Sequence, residues 1–330
     1  MGAELRSARI SGVGMYVPER VLTNFDLEKM VDTTDEWIVT HSGIRERHLC
    51  ADHEACSDMA IQAARSAMAR AGVGPEDIEL LIVATVTGDM QFPATANIVQ
   101  EKLGIQGAVA FDLAAACTGF VCGMGTAAQF IATGQCETAL VIGAEALSRF
   151  TDWEDRSTCV LFGDAAGAAV MTPCGPGQGL LGFRLISDGT GAELLKITAG
   201  GSRKPLDAEA LRNHEHLICM NGHEIFRQAV RGMADVALSA IERAGIKPED
   251  IHCVVPHQAN IRIIEALMKR LELPMERAIV NIDRYGNTSS ASIPIALFEA
   301  LEAGRIREGD VVLLVGFGAG LTLAGAVLRW

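Results

Sequence analysis

The sequence predicts an α/β protein made of two related halves. First, residues 70–78 (RAGVGPEDI) return as residues 243–251 (RAGIKPEDI), with seven of nine residues identical at an offset of 173 (243 minus 70). Second, the offset persists without a gap, since residues 138–143 align on residues 311–316, apolar strand on apolar strand. Third, fully apolar strand segments alternate with helical ones, which is typical of sheets covered by helices on both faces.

The individual elements follow from periodicity, capping residues and turn residues. Helices are predicted at 57–71, 118–133, 223–244, 261–271 and 292–303. Strands are predicted at 80–84, 109–113, 139–143, 167–171, 254–256, 311–315 and 325–329. The stretch 198–215, rich in Gly, Lys, Arg and Asp, is interpreted as a mobile surface loop. A chain of 330 residues exceeds one ordinary core, so we expect an N-terminal half at 1–173 and a C-terminal half at 174–330.

Composition excludes several functions. The net charge is −13 and no Lys/Arg block exceeds two residues, which argues against a nucleic-acid partner. Nine cysteines without a CxxC pair are typical of reduced cytoplasmic thiols, not of disulfides or a metal site. Polar residues or glycines interrupt the uncharged runs 113–136 and 311–328, so no membrane span is expected. Residues 1–10 lack the apolar core of a secretory leader.

Cys117 lies where a predicted strand ends and a predicted helix begins, within residues 112–120 (DLAAACTGF). Free N–H groups and the positive end of a helix would lower the pKa of such a thiol, and the small neighbours would let a substrate approach. This pattern predicts a nucleophile. Taken alone, the residue equally fits a buried core thiol.

Two further polar residues follow apolar segments of the second half. His257 comes directly after the predicted strand 254–256, where sheet proteins present functional groups. Asn287 lies in residues 284–292 (RYGNTSSAS), a pattern that also fits an ordinary turn and helix cap. Neither residue is decisive alone.

Together these motifs resemble the Cys-His-Asn set of the β-ketoacyl-ACP synthase III family. The similar segments are ACTGF at 116–120, PHQAN at 256–260, GNTSSAS at 286–292, TDEWIVT at 34–40, GIRER at 43–47, FGDAAG at 162–167, MNGHEIF at 220–226 and GFGAG at 316–320. The resemblance spans nearly the whole chain. It implies a thiolase-like fold, in which two duplicated βαβαβαββ halves form a layered αβαβα architecture, and so accounts for the duplication.

The resemblance implies a decarboxylative Claisen condensation of an acyl-CoA primer with malonyl-ACP, which gives 3-oxoacyl-ACP and CO2, initiates fatty acid biosynthesis and uses no cofactor or metal. Cys117 would attack the acyl-CoA thioester and hold the acyl group. His257 and Asn287 would donate hydrogen bonds to the malonyl thioester carbonyl. The backbone N–H of Cys117 and one from the turn Gly318–Ala319 would bind the oxyanion of acyl transfer.

Binding residues carry over position by position. Trp37 and Arg156 match a pair that sandwiches the adenine of CoA, whereas His41 and His223 replace the Arg and Asn often found at two other CoA positions. The carrier-docking stretch comprises Gln258, Ala259, Asn260, Ile261 and Arg262, of which Arg262 is the expected contact with an acidic carrier protein. The acyl pocket is assigned to Phe92, Leu147 and Phe162. Phe92 would reach across a homodimer interface into the pocket of the partner.

Three alternatives stay open at this point. A hydroxymethylglutaryl-CoA synthase, a polyketide-type synthase or another acyltransferase would share the superfamily, but the first needs a Glu base beside the Cys, and residues 85–92 contain none. A thiol hydrolase with a papain-like triad would use the same three residue types and release free acid. A non-catalytic binding protein would keep its function in the variant Cys117→Ala.

Overall fold

The structure, a computed structural model, describes residues 6–330. The segment 1–10, predicted not to be a leader, therefore lies partly outside the described residues. The strands are β1 (Ser7–Tyr16), β2 (Arg20–Thr23), β3 (Glu46–Leu49), β4 (Leu80–Ala84), β5 (Val109–Leu113), β6 (Ala139–Glu145), β7 (Ala165–Cys174), β8 (Gly179–Ser187), β9 (Leu195–Ile197), β10 (Ile218–Met220), β11 (Cys253–Pro256), β12 (Val311–Gly318) and β13 (Thr322–Arg329). The helices are α1 (Asn24–Leu27), α2 (Asp35–Ser42), α3 (Cys56–Ala71), α4 (Thr95–Leu103), α5 (Gly119–Ala132), α6 (Arg156–Cys159), α7 (Ala208–Arg212), α8 (Gly222–Arg243), α9 (Ile261–Arg270), α10 (Ile282–Tyr285) and α11 (Ser292–Glu302).

The duplicated segments adopt the same local structure. Helix α3 ends before Gly72 and helix α8 ends before Gly245, and both glycines have a φ of +68°, which a side chain would strain. Each segment then passes through a short 3-10 turn that starts at a proline, Pro75 or Pro248, and enters a buried strand. The internal duplication predicted from the sequence is therefore confirmed.

The two main sheets share one strand order. The first runs β1-β7-β6-β4-β5, and the second runs β8-β13-β12-β11 in the same sense. In the first sheet β6 pairs parallel with β4 and antiparallel with β7. In the second sheet β12 pairs parallel with β11 and antiparallel with β13. The second half has no full counterpart of β5, because there the fifth position is reduced to a single parallel bridge between Val254 and Ala278.

The two sheets and three layers of helices stack as five alternating layers. Helices α5 and α11 lie between the sheets and contact both of them, while α3 and α4 cover the outer face of the first sheet, and α8 and α9 cover that of the second. The residues of the inner layer form one apolar core, flanked by a second core under α3 and a third under α8 and α9. This arrangement confirms the layered αβαβα architecture.

Six strands were absent from the sequence-based prediction, namely β1, β2, β3, β8, β9 and β10, and the loop prediction was incomplete. Strands β1 and β8 border the two sheets and were not predicted. Residues 198–215 are mostly exposed, as expected of a surface loop, but they contain the short helix α7, and the backbone N–H of Ala199 donates to the carbonyl of Glu215. Within residues 6–330, none of the helices has the length and apolar character needed to cross a bilayer.

Candidate active site

Cys117 lies at the junction between the two halves. It sits in a 3-10 turn, Ala116–Thr118, that connects β5 to the inner helix α5. The preceding residue, Ala116, has a φ of +46°, a left-handed conformation that is uncommon for a residue other than glycine. Only 8% of Cys117 is exposed, and its side chain lines an internal cavity.

The second half contains an equivalent backbone bend. Ser289, which lies at the duplication offset from Ala116 (289 minus 116 is 173), has a φ of +47° and begins the 3-10 turn Ser289–Ala291 before α11. The two bends meet between the sheets, and Cys117 and Ser289 line the same cavity. Each costs on the order of 1–3 kcal/mol of backbone strain, and such strain is typical of functional sites.

His257 is held by a hydroxyl group. It follows β11, is 1% exposed, and its Nδ1 lies 2.6 Å from Oγ of Ser292. The backbone N–H of Gln258 donates to the same oxygen at 3.4 Å, so the hydroxyl proton is free to donate to Nδ1. When the hydroxyl donates to Nδ1, the ring proton lies on Nε2. Burial lowers the pKa of His257 to about 3, so the imidazole is neutral at physiological pH and presents one N–H donor.

Asn287 is oriented by its own turn. Its Oδ1 accepts from the backbone N–H of Ser289 at 2.9 Å, so its Nδ2 is left as a donor. The backbone of Asn287 is fixed on the segment after α6, because its N–H donates to the carbonyl of Leu161 and its carbonyl accepts from Gly163. His257, Asn287 and Cys117 line one cavity of about 160 Å³. The structure therefore brings together the three residues that the sequence singled out.

The thiol of Cys117 is not activated in the way the sequence predicted. Burial raises the pKa of Cys117 to about 12; the nearby Ser289 side chain opposes this rise, and the charge of Glu145 adds to it. The prediction of a lowered pKa is therefore wrong, because loss of hydration in the interior outweighs the favourable end of α5. The thiol is therefore neutral at physiological pH and must lose its proton before it can act as a nucleophile.

Gly318 approaches the nucleophile at the end of β12. A Cβ atom on Gly318 would lie 2.8 Å from the backbone nitrogen of Cys117 and 3.2 Å from that of Thr118, so only glycine fits. Ala319 lines the same cavity as Cys117. The turn predicted to help bind an oxyanion thus lies against the backbone N–H of the nucleophile.

A second cavity of about 290 Å³ is also lined by Cys117 and is mostly apolar. Leu147 and Phe162, both 4% exposed, line it, as predicted for an acyl pocket. Further lining residues that the sequence did not indicate are Val86, Leu195, Ile197 and Ile218. Phe92 is not among the residues that line this cavity, and it is 83% exposed, so its predicted place in the acyl pocket is not seen within this chain.

The residues assigned to CoA lie at the surface. The guanidinium of Arg156 lies 4.9 Å above the ring of Trp37, which leaves no room for an adenine between them until Arg156 moves. His41 stacks on Trp37 with ring centroids 4.4 Å apart, and its Nδ1 lies 2.7 Å from the Trp37 carbonyl oxygen. His223 is exposed at the start of α8, and its neighbours Gly222 and Phe226, rather than His223 itself, line the cavity around His257.

The predicted carrier-docking stretch is only partly available to a partner. Gln258 is 1% exposed, and its amide is used internally by Pro256, Ile279 and Asn281. A direct side-chain contact of Gln258 with a carrier protein is therefore ruled out by burial. Ala259, Asn260 and Ile261 are half-buried, and Arg262 is exposed and lies over the ring of Phe226 at 5.5 Å.

Sequence reasoning missed three polar residues of the site, namely Glu145, Ser289 and Ser292. Ser289 and Ser292 belong to the GNTSSAS segment, where only the Asn was given a role. Glu145 ends β6, two residues beyond the predicted strand, at the same end of the sheet as Cys117. Its position at the end of a strand is the sequence feature that could have indicated Glu145 as a residue of the site.

Comparisons with known proteins agree with this geometry. Two family models match: 3-oxoacyl-[acyl-carrier-protein] synthase III at residues 111–189, and the C-terminal part of the same synthase at residues 241–330. The β-ketoacyl-[acyl-carrier-protein] synthase III of Symbiobacterium thermophilum is 56% identical over 99% of both chains. The crystal structure of the synthase III of Thermus thermophilus has a TM-score of 0.91 and 49% identity and covers 98% of this chain and 99% of its own.

A more distant structure shares the fold. The priming β-ketosynthase of the R1128 polyketide pathway superposes with a TM-score of 0.90 at 37% identity and covers 98% of this chain and 96% of its own. The fold and the site thus define a condensing acyltransferase with a cysteine at its centre. The chain belongs to the 3-oxoacyl-[acyl-carrier-protein] synthase III family.

Proposed function

We propose that this enzyme carries out the condensation of an acyl-CoA primer with malonyl-ACP through Cys117, His257 and Asn287, and so initiates fatty acid synthesis. The observation that carries the proposal is that Cys117 lines two mostly apolar cavities, and that His257 and Asn287 line the second of them. An acyl group on the sulfur would extend into the first cavity. The malonyl thioester would then approach from the side of His257 and Asn287.

The two donors suit decarboxylation rather than proton abstraction. Loss of CO2 from a malonyl thioester places negative charge on the thioester oxygen, where fixed N–H donors stabilise it. His257 would supply Nε2–H as a neutral imidazole, and Asn287 would supply Nδ2–H; the contacts of His257 Nδ1 with Ser292 and of Asn287 Oδ1 with Ser289 support these roles. A carboxylate at position 287 would repel the enolate, so the amide fits this role.

The same hydrogen bonds argue against a papain-like hydrolase. In such a triad the third residue orients the histidine that acts as a base. Here Ser292 holds His257, whereas the Asn287 oxygen is engaged by Ser289. His257, with its pKa lowered to about 3, is also a poor base for Cys117.

Backbone N–H groups of Cys117 and of the turn after Gly318 are proposed to bind the oxyanion of the acyl-transfer step. The close approach of Gly318 to the nitrogen of Cys117 supports this role. Trp37 and Arg156 are proposed to stack on the adenine of CoA, since an indole and a guanidinium already lie face to face there. Arg262 is proposed to meet the acidic carrier protein, because it is an exposed cation beside the cavity residue Phe226.

A homodimer is part of the proposal. Strand β5 is the edge of the first sheet and pairs only with β4. Its first residue, Val109, is 55% exposed, and the loop after β4 exposes Met90 and Phe92. An apolar sheet edge of this kind is a template for pairing with a second copy of the chain. Sedimentation equilibrium would distinguish this dimer from a monomer of 35.0 kDa.

No cofactor is proposed, because a thiol and fixed hydrogen-bond donors suffice for acyl transfer and decarboxylation. The nine cysteines are all free thiols. Free thiols suit a reducing compartment, so we propose a cytoplasmic location.

Intact-mass analysis after mixing with a panel of acyl-CoAs tests the proposal. The protein should gain the mass of one acyl group, and later addition of malonyl-ACP should yield 3-oxoacyl-ACP. Cys117→Ser should abolish the mass gain, whereas Cys122→Ser, one turn along α5, should retain it. Release of free acid in place of a ketoacyl product, or acylation that survives Cys117→Ser, would refute the proposed function.

A further inference from the structure

Arg47 is a buried cation whose hydrogen-bond acceptors are all neutral. It lies in β3, and none of its surface is exposed. Its Nη2 donates to the carbonyl of Val160 at 2.7 Å, and its Nη1 donates to the carbonyl of Leu22 at 3.2 Å and to Oδ1 of Asn24 at 2.9 Å. Within residues 6–330 its Nε has no hydrogen-bond partner. Burial lowers the pKa of Arg47 to about 10, so the guanidinium is still charged at physiological pH.

Such an arrangement is a poor source of stability. A charge removed from water needs a counter-ion or a full set of hydrogen bonds, and an apolar side chain of similar volume often stabilises a protein at least as well. The acceptors of Arg47 lie on three segments that are distant in the sequence, namely β2, α1 and the residue after α6. A role in holding these segments together therefore accounts for the arginine better than a contribution to stability does.

Arg47 fixes the orientation of the Asn24 side chain. Because a guanidinium only donates hydrogen bonds, the atom of Asn24 that faces it is the amide oxygen. The amide nitrogen then donates to Oδ1 of Asp35 and to the carbonyl of Ile44, both at 2.8 Å. Asp35 is the first residue of α2, and Ile44 is the second residue after its end. One buried amide therefore holds both ends of α2.

The two helices that Arg47 connects carry the side chains assigned to the adenine of CoA. Helix α2 carries Trp37, and α6 begins with Arg156 and ends just before Val160. The contact of Arg47 with Val160 thus fixes the backbone beneath Arg156, while the contact with Asn24 fixes the backbone beneath Trp37. The Arg156 side chain is exposed and can move aside for a base without a change in this buried network.

We propose that Arg47 is a positioning residue for the CoA site, which holds Trp37 and Arg156 at the spacing that the adenine requires. The inference rests on the proposed function, because the stacking of Trp37 and Arg156 on the adenine is part of that proposal. Arg47 lines neither of the two cavities beside Cys117. It therefore acts through α2 and α6 and has no contact with the thioester.

Acylation by two primers that share one acyl group tests the inference. Acyl-CoA carries the adenine, whereas acyl-pantetheine lacks it. Arg47→Lys keeps the charge and the aliphatic stem but replaces the fork of donors by a single ammonium group. Loss of a stack between a base and an aromatic side chain weakens binding about 5- to 150-fold. The rate of acyl-enzyme formation at low primer concentration, followed by intact mass, should therefore fall about fivefold or more with acyl-CoA and less than about twofold with acyl-pantetheine.

A second variant and a control separate positioning from stability. Asn24→Ala should give the same selective loss, because it removes the contact with α2 and leaves Arg47 bound to Leu22 and Val160. This variant decides alone if Arg47→Lys does not fold. Leu140→Ala, in the core under α3, loses stability elsewhere and should keep the wild-type ratio of the two acylation rates.

A wild-type ratio of the two rates in Arg47→Lys and Asn24→Ala, or equal slowing with both primers, would overturn the inference. Trp37→Ala shows which proposal has then failed. If it still slows acylation by acyl-CoA selectively, the proposed CoA site stands and only the role of Arg47 is refuted. A wild-type ratio in Trp37→Ala would refute the proposed CoA site and this inference with it.

Discussion

Gly318→Ala is expected to impair acyl transfer while leaving the decarboxylation machinery in place. The new Cβ would lie 2.8 Å from the backbone nitrogen of Cys117 and 2.8 Å from Oγ1 of Thr322. Ordinary van der Waals contact begins at 3.4 Å, so the turn and the nucleophile must separate by about 0.6 Å (3.4 minus 2.8). That movement displaces the N–H group proposed to bind the oxyanion.

The size of the effect follows from the value of one oxyanion donor. Loss of such a donor costs about 2.7–4 kcal/mol, or about 10²–10³ in rate. A displaced donor keeps part of its interaction, so we expect acyl transfer to slow by about 10²-fold. His257 and Asn287 lie on other elements, so decarboxylation of malonyl-ACP should be slowed much less.

Single-turnover mass spectrometry of the acyl-enzyme measures the first step, and release of CO2 from malonyl-ACP measures the second. Gly316→Ala is the control, because a Cβ there would meet its nearest neighbours, Ile293 and Thr118, at 3.4 and 3.5 Å, within ordinary contact. It should acylate at nearly the wild-type rate. A wild-type acylation rate in Gly318→Ala, or equal slowing in both variants, would refute the role given to the turn.

Two further predictions concern the acyl pocket and the surface loop. Leu147→Ala should enlarge the cavity beside Cys117, admit longer primers and cost about 2–5 kcal/mol of stability. The control Leu140→Ala, in the core under α3, should lose stability without a change in the primers accepted. Equal primer ranges in the two variants would contradict the assignment of Leu147 to the acyl pocket. His214 Nδ1 lies 2.8 Å from an Asp152 oxygen, and this hydrogen bond raises the pKa of His214. The stabilisation is therefore full below pH 6.5 and is lost as pH rises through the raised pKa. Hydrogen exchange in residues 198–215, corrected for its intrinsic pH dependence, should quicken over that window, and His214→Asn should remove the change; an unchanged response in that variant would contradict the prediction.

The buried strands and helices of the fold were predictable because their apolar patterns are local. Strands β4 and β5 coincide with the predicted bounds, and α3 differs by one residue. Strand β1 was missed because its glycines weaken the strand pattern. They are required by packing: a Cβ on Gly12 or Gly14 would lie 2.4 or 2.3 Å from a carbonyl oxygen of α3. Close approach between two elements is a tertiary property that neither segment shows alone.

The candidate site was predictable in its residue types but not in its electrostatics. Cys117, His257 and Asn287 were recognisable from their motifs, and the structure places them on one cavity. The direction of the Cys117 pKa was mispredicted, because the end of α5 is visible in the sequence whereas the depth of burial is not. Glu145 was not predicted as an acidic neighbour of Cys117, because a Glu was expected only within residues 85–92. Strand β6 instead places Glu145 in hydrogen-bond contact with Thr87 of that segment.

The paired left-handed bends at Ala116 and Ser289 make the reactive thiol a joint product of the two halves. Each bend precedes one inner helix, and Cys117 of the first half and Ser289 of the second line the same cavity. A fragment that ended at residue 173 would keep the nucleophile yet lose the hydroxyl, the imidazole and the carboxamide that surround it. Neither half contains the complete site by itself. A backbone shift in either half would therefore displace groups that surround the same sulfur atom.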